Sequence, residues 1–171
     1  MIKIITRKAN IDDCENFVRC YLNAYRGLEF YAYSTKRDVR GYFKWLMKRD
    51  EKGFFSADIL VKTQSFDWEL IRGVGFIACD SNWYSKYENN YVCEIHEIFV
   101  NREWRGLGIG TLLMREAINY AKQKSRDKLE LWVGERNYEA ISFYRKFGFL
   151  EKEKNGCWIR MVKYIRYPNV R

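Results

Sequence analysis

The stretch RGLGIG, Arg105 to Gly110, constrains this chain more than any other six residues. Three of the six are glycine, the residue that loses most backbone freedom on folding. The stretch follows EIHEIFV (Glu94 to Val100), which reads as a strand, and it opens GIGTLLMREAINYAKQKS, whose apolar residues at 109, 112, 113, 117, 118 and 121 have helical spacing. A glycine-rich turn between a strand and a helix aims several backbone N–H groups at one point, backed by the positive end of the helix dipole. Such a turn is an anion site, and it suits phosphate.

Three known designs use a turn of this kind. A P-loop ends in Gly-Lys-Ser/Thr, whereas Gly110 is followed by Thr111 and Leu112. A dinucleotide fingerprint asks for G-x-G-x-x-G. Gly106 and Gly108 fit it, but Thr111 holds the third position. An acid, Glu130, does lie 20 residues after Gly110, but the turn is in mid-chain and not in an opening βαβ unit. The third design, R-x-x-G-x-G, is met by Arg105, Gly108 and Gly110.

The remaining pattern is that of one mixed α/β domain over residues 1–171, with no repeat, low-complexity tract or linker. Strands are expected at Ile2–Arg7, Gly53–Thr63, Glu69–Asp80, Tyr91–Val100, Lys128–Gly134, Phe149–Lys154 and Cys157–Tyr167. Helices are expected at Asn10–Gly27, Lys36–Gly53, Gly108–Ser125 and Asn137–Gly148, with Asn10 and Asn137 as caps. Ser81–Asn90 reads as a polar-aromatic loop, and Asn155-Gly156 as the turn of a closing hairpin. The one proline, Pro168, falls in a short tail. The net charge of +9 is spread along the chain, which favours an anionic partner without naming it. Five scattered cysteines, no Cys-x-x-Cys pair and one histidine argue for reduced thiols, against a zinc site, and for a cytoplasmic protein. No apolar run reaches the ~18–20 residues of a membrane span, and the polar opening residues argue against a signal peptide.

Strand HEIFV, link NREW, turn RGLGIGTLLM, a further strand and then NYEAISFYRKFGF together resemble the GNAT superfamily of N-acetyltransferases. The resemblance is specific over Glu94–Phe149, within a motif-bearing core of 90–150. It is weaker over Ile2–Asp13, and residues 28–90 carry no family motif. It implies a single domain with a central mixed, mostly antiparallel sheet of about seven strands, splayed in a V between the fourth and fifth, with helices on both faces. It also implies acetyl-CoA as acyl donor and no metal. The pyrophosphate would lie on the turn formed by Arg105, Gly106, Leu107, Gly108, Ile109, Gly110 and Thr111. Pantetheine would bond to the backbone of Ile98, Phe99 and Val100, with the N–H near Phe99 serving the oxyanion. Asn137 and Tyr144 would complete the site, Tyr144 as the acid that protonates the leaving thiolate.

Acetyl transfer to an amine needs a proton acceptor and an oxyanion donor. Glu94, His96 and Glu97 interrupt an otherwise apolar strand, where each polar group has to be justified. Glu94 and His96 share a face by the period of two, and Glu97 points away unless a bulge intervenes. The resemblance places a base or its relay at 94 and 96 and an acceptor contact at 97. Glu94 is preferred as base, through a water, with His96 next. Each of the three, like Tyr144 and Asn137, has a bland alternative: a satisfied buried group, a core ring, an N-cap. The acceptor is expected to be a small-molecule amine, a protein N-terminus or a lysine. Trp83, Tyr84, Tyr87 and Tyr91 offer it an aromatic wall or form a homodimer contact. A non-catalytic CoA sensor and a basic nucleic-acid-binding module are the competing readings. The second lacks any groove motif.

Overall fold

A computed structural model describes residues 1–165. The opening strand β1 (Ile2–Lys8) leads to Asn10, whose side chain accepts from the Asp12 N–H while its own N–H donates to the Asp13 carboxylate. This capping box starts a short 3-10 turn, and α1 (Cys14–Ala24) follows it. Helix α2 (Lys36–Arg49) is capped by Thr35 and stops short of the expected Gly53. Strands β2 (Phe54–Lys62), β3 (Trp68–Ser85) and β4 (Asn90–Val100) then run antiparallel beside β1. Helix α3 (Ile109–Gln123), β5 (Lys128–Gly134), α4 (Tyr138–Lys146), β6 (Leu150–Asn155) and β7 (Trp158–Tyr164) complete the fold.

The expected architecture is present. One seven-stranded sheet has the order β1-β2-β3-β4-β5-β7-β6. Only β4 and β5 are parallel, and they are paired solely through Cys93–Ile95 and Leu129–Leu131. Beyond Ile95 the two strands part, which is the splay. Helices α3 and α4 pack on one face through Ile109, Leu113, Ala117, Ile141 and Tyr144. Helices α1 and α2 pack on the other through Phe17, Tyr21, Val39, Phe43 and Leu46. Phe17 is the hub of this second layer. Its ring lies 5.1 Å from that of Phe99 and 5.2 Å from those of Phe43 and Phe76, so the end of β4 is fixed against α1 by aromatic packing.

Two expectations are corrected. The region 81–90 is not a loop: β3 continues to Ser85, and Trp83, Tyr84 and Ser85 pair with Val92, Tyr91 and Asn90. Its polar residues disguised it, yet Asp80 and Ser81 are buried and bonded to Arg49 and Asp50. The closing hairpin turns one residue later than expected. Asn155 pairs with Trp158, so the two-residue loop is Gly156-Cys157, with Gly156 at φ 59°. Glycine at the first loop position is what a type II′ turn requires. The end of the strand expected to Tyr167 and the tail bearing Pro168 lie outside the described residues.

Candidate active site

The parting of β4 and β5 opens a cleft of about 780 Å³. The glycine turn forms one end. Gly106 and Gly108 have φ of 79° and 84°, and a Cβ built on either meets nothing within 4 Å. Their glycine character therefore reflects backbone geometry and the space above the turn, which a side chain would enter, and not crowding by the protein. Gly108 is the N-cap of α3 and has no side chain to cap it. The first N–H groups of α3 are thus free to bind an anion in the cleft. The Arg105 guanidinium faces inward: Nε donates to the Val100 carbonyl at 3.2 Å and Nη2 to the Ala24 carbonyl at 3.0 Å. It ties the turn to β4 and α1, and its charge reaches Glu139 at 3.6 Å. The rest of the turn lines the cleft except Leu107, whose side chain is exposed outside it.

Along β4, Ile98, Phe99 and Val100 line the cleft. The Asn101 N–H bonds to the Val74 carbonyl on β3, and Phe99 is paired with Phe76 two steps along the same ladder. The strand's alternation therefore turns the Phe99 N–H toward β3. On the gap side lie the N–H groups of Ile98, which reaches the Glu97 carboxylate, and of Val100.

A bulge sets the polar residues of β4. Ala78 faces Glu97 while Cys79 faces Ile95, so His96 is the extra residue on that strand. Glu97 is thereby brought to the α1–α2 face, buried at the cleft with the Tyr25 hydroxyl donating to its carboxylate. Burial pushes its carboxyl up to about 7, against the opposing pull of the Tyr25 and Tyr42 hydroxyls and the Ile98 N–H. His96 lines the cleft beside it, and its Nε2 lies 3.1 Å from Asp80 Oδ2. Glu94 is elsewhere. It is buried away from the cleft lining, between Asp80 on β3 and Glu130 on β5. Burial and the neighbouring Glu130 drive its carboxyl well above the usual range, and Oε2 has no hydrogen-bond partner. Glu130 itself is engaged by Ser85 and by the buried Arg160, which also holds Glu88 and Glu153.

From α4 Tyr144 lines the cleft, and its hydroxyl has no hydrogen bond among the described residues. Its ring packs against Phe143 and Phe149 at 5.7 and 5.8 Å. Burial and the nearby Glu97 charge raise its pKa, so it keeps its proton at neutral pH. Asn137 caps α4 by accepting from the Ala140 N–H at 3.3 Å and also lines the cleft. The far end is aromatic, but not from the expected residues. Phe30, Tyr31 and Tyr33 supply it, with Tyr42 and Trp158. Tyr31 lies on Gly134, where any Cβ would come within 2.6 Å of the ring, and its centroid is 5.3 Å from that of Trp158. Of the four expected, Trp83 and Tyr87 stand behind the lining residues His96 and Trp132, at 5.0 and 5.6 Å, and Tyr84 and Tyr91 are exposed against each other. Segment 28–35 has neither helical nor strand periodicity, so nothing in the sequence marked it. Among the described residues no cluster of three or more His, Cys, Asp or Glu is placed to hold a metal, and no helix is long and apolar enough to cross a membrane.

Comparison with known proteins agrees with this geometry. The model of the acetyltransferase (GNAT) family matches residues 17–149. An uncharacterised N-acetyltransferase of Methanocaldococcus jannaschii is 49% identical over 166 residues, covering 96% of this chain and 69% of its own. Another from Archaeoglobus fulgidus is 49% identical over 150 residues, covering 88% and 95%. A crystal structure of a Pyrococcus horikoshii protein superposes with a TM-score of 0.79 at 37% identity, over 98% of this chain and all (100%) of that one. The PaiA N-acetyltransferase of Thermoplasma acidophilum, solved with coenzyme A, shares the fold at a TM-score of 0.70 and 19% identity, over 95% and 99%. The chain belongs to the GNAT family of acetyltransferases and is an N-acetyltransferase.

Proposed function

We propose that the chain moves the acetyl group of acetyl-CoA to a primary amine by direct attack in a ternary complex, with Glu97 as base and Tyr144 as acid. The observation that carries this reading is that Glu97 on β4 and Tyr144 on α4 line the same cleft, where β4 and β5 part; burial raises the Glu97 carboxyl to about 7 and keeps the Tyr144 hydroxyl protonated. The N–H groups at the start of α3 would hold the pyrophosphate, and the β4 backbone at Ile98 and Val100 the pantetheine. Solved relatives named as bound to coenzyme A support the donor.

The residues divide the chemistry. Glu97 accepts the proton released as the amine attacks. An acid poised near the working pH does this best, because it is both ionised and basic enough. The Val100 N–H is a fixed dipole toward the place where negative charge develops on the thioester oxygen, while the Ile98 N–H reaches the Glu97 carboxylate. Tyr144 donates its proton to the departing sulfur. Glu94 takes no part: a neutral acid off the cleft cannot accept a proton from the amine.

The acceptor arm is aromatic around one acid, Glu97. It suits an amine carried on an apolar or aromatic body, from a small molecule or the end of a peptide, better than a polyamine, which the net charge of +9 would also repel. A panel of amines, with release of the free CoA thiol as readout, tests the proposal. Acetyl-CoA binding without turnover on any amine would leave a CoA-binding sensor in its place.

A further inference from the structure

Helix α2 carries two features that its own stability does not explain. Its inner side, Val39, Phe43 and Leu46, is buried in the aromatic layer, and its outer side is cationic. Arg37, Arg40, Lys44 and Lys48 follow one another at steps of three and four residues, a spacing at which like charges repel and weaken a helix. Arg40 is paired with Glu15 at 2.6 Å. Arg37, Lys44 and Lys48 are exposed and enter no ion pair among the described residues. The one acid of the helix, Asp38, is occupied with Thr35 at its start. The second feature is Gly41, in mid-helix and exposed, where only proline is a worse choice. Gly41 has no positive φ, and a Cβ built on it meets nothing within 4 Å. Neither the backbone nor any neighbouring group of the protein requires glycine there. Its missing side chain leaves the helix backbone open to approach, with Arg37, Lys44 and Trp45 as its neighbours at i−4, i+3 and i+4. The Trp45 ring is 42% exposed, and it is held by stacking on Tyr42 at 6.0 Å and 18° and by the edge of His96 at 4.8 Å.

We propose that the outer face of α2 binds a single strand of nucleic acid, with phosphates on Arg37, Lys44 and Lys48 across Gly41 and a base on Trp45. Unpaired cations in a row beside a flat ring held open to solvent are the parts from which single-strand sites are built. Phosphates neutralise the cations, and any base has a face to stack on the indole. An acidic peptide answers the cations and not the ring. The net charge of +9 adds attraction at long range. Tyr42, on which Trp45 stacks, lines the acceptor end of the cleft, so the bound strand lies beside the acceptor's entrance. The site uses none of the residues assigned to acetyl transfer and stands or falls without that reading.

Fluorescence anisotropy of labelled oligouridine and oligothymidine, each roughly 15 nucleotides long to span a full site, tests the proposal on the full chain without acetyl-CoA. The wild type should bind at low salt and lose affinity as salt rises. Replacing Arg37, Lys44 and Lys48 together by alanine keeps a good helix former at each position. It should weaken binding about tenfold or more and flatten the slope of log affinity against log salt by about 2. Arg115, Lys122 and Lys146 are exposed on α3 and α4, on the other face of the sheet, and replacing these three by alanine should change little. Equal losses in the two triple variants would reveal attraction to net charge alone and overturn the site. Gly41→Gln separates binding from folding. It should melt about 1–3 °C higher, since glutamine is the better helix former, and bind several-fold more weakly, since its side chain fills the approach. Wild-type affinity in that variant overturns the placement across Gly41. A wild type that binds neither oligonucleotide at low salt, or that binds polyglutamate of equal charge as tightly, overturns the assignment to nucleic acid.

Discussion

At the scale of single residues, Tyr144, Glu97 and Glu94 each carry a prediction that the others do not share. Tyr144 is both a core ring and a cleft hydroxyl, so Tyr144→Phe keeps the packing and removes only the proton. We expect kcat to fall by about 10²–10⁴-fold with acetyl-CoA binding intact. The deficit should be largest near about pH 6 and smallest near about pH 10, where a thiolate leaves unaided. A wild-type rate throughout would leave Tyr144 a packing residue. Glu97 should give kcat/KM an acid limb near 7, and Glu97→Gln should lose the limb together with about 10²–10⁴-fold of rate. Glu94 should do neither. Its folded carboxyl titrates well above its unfolded one, so between the two the folded state holds a proton that the unfolded state has released. Stability then falls as pH rises through that window. Glu94→Gln mimics the protonated acid, including its donor toward Glu130. In the variant the melting temperature should rise at neutral and alkaline pH and fall less steeply with pH than in the wild type, Glu97 being the raised acid that remains, and kcat should be unchanged. A large drop in kcat would return the base to position 94.

At the scale of elements, periodicity and caps were legible wherever one segment carried its own signal. The helices at 109, 138 and 36 and the strands around them follow from apolar spacing, with Gly108 and Asn137 marking the starts of two of them. Features that depend on two segments were not legible. The bulge at His96 comes from how β4 registers against β3, which no count along β4 shows; without it Glu97 would face α3 and α4. The extension of β3 through Asp80–Ser85 hid behind polar side chains whose partners, Arg49 and Asp50, are remote in sequence. The aromatic end of the cleft hangs on Tyr31 resting on Gly134, a pair separated by a hundred residues of chain. Gly134→Ala tests that support. Its methyl would meet the Tyr31 ring, whose atoms lie at 2.6 and 2.7 Å from the ideal Cβ position, and push the 28–33 segment outward. KM for the amine should rise several-fold (an order-of-magnitude expectation for a ~1 kcal/mol loss of contact), while acetyl-CoA affinity holds. Equal loss of both would mean that β5 itself had moved.

For the molecule as a whole, the two faces of the sheet have separate tasks. On one, α3 and α4 make a continuous apolar layer that carries the glycine turn. On the other, the aromatic layer around Phe17 fixes Phe99, and with it the strand that bears Glu97. The splay between β4 and β5 is the place where the sheet forgoes ladder bonds, and a ligand that supplies them should stabilise the whole fold. Acetyl-CoA at ~100 times its Kd should add about 2.7 kcal/mol. For a chain of this size that is roughly 5–10 °C in Tm, from the ~2–4 °C per kcal/mol typical of such domains. Gly108→Val should abolish the shift. The space around Gly108 is open in the protein, so the valine would not clash with its neighbours. It would instead fill the anion's place and strain a backbone at φ 84°, where β-branched residues are outliers. The unliganded variant should therefore melt modestly lower and then fail to respond to acetyl-CoA. A variant that melts lower yet still shows the full ligand shift would place the pyrophosphate away from the start of α3. No shift in the wild type at millimolar ligand would remove acetyl-CoA from the cleft altogether.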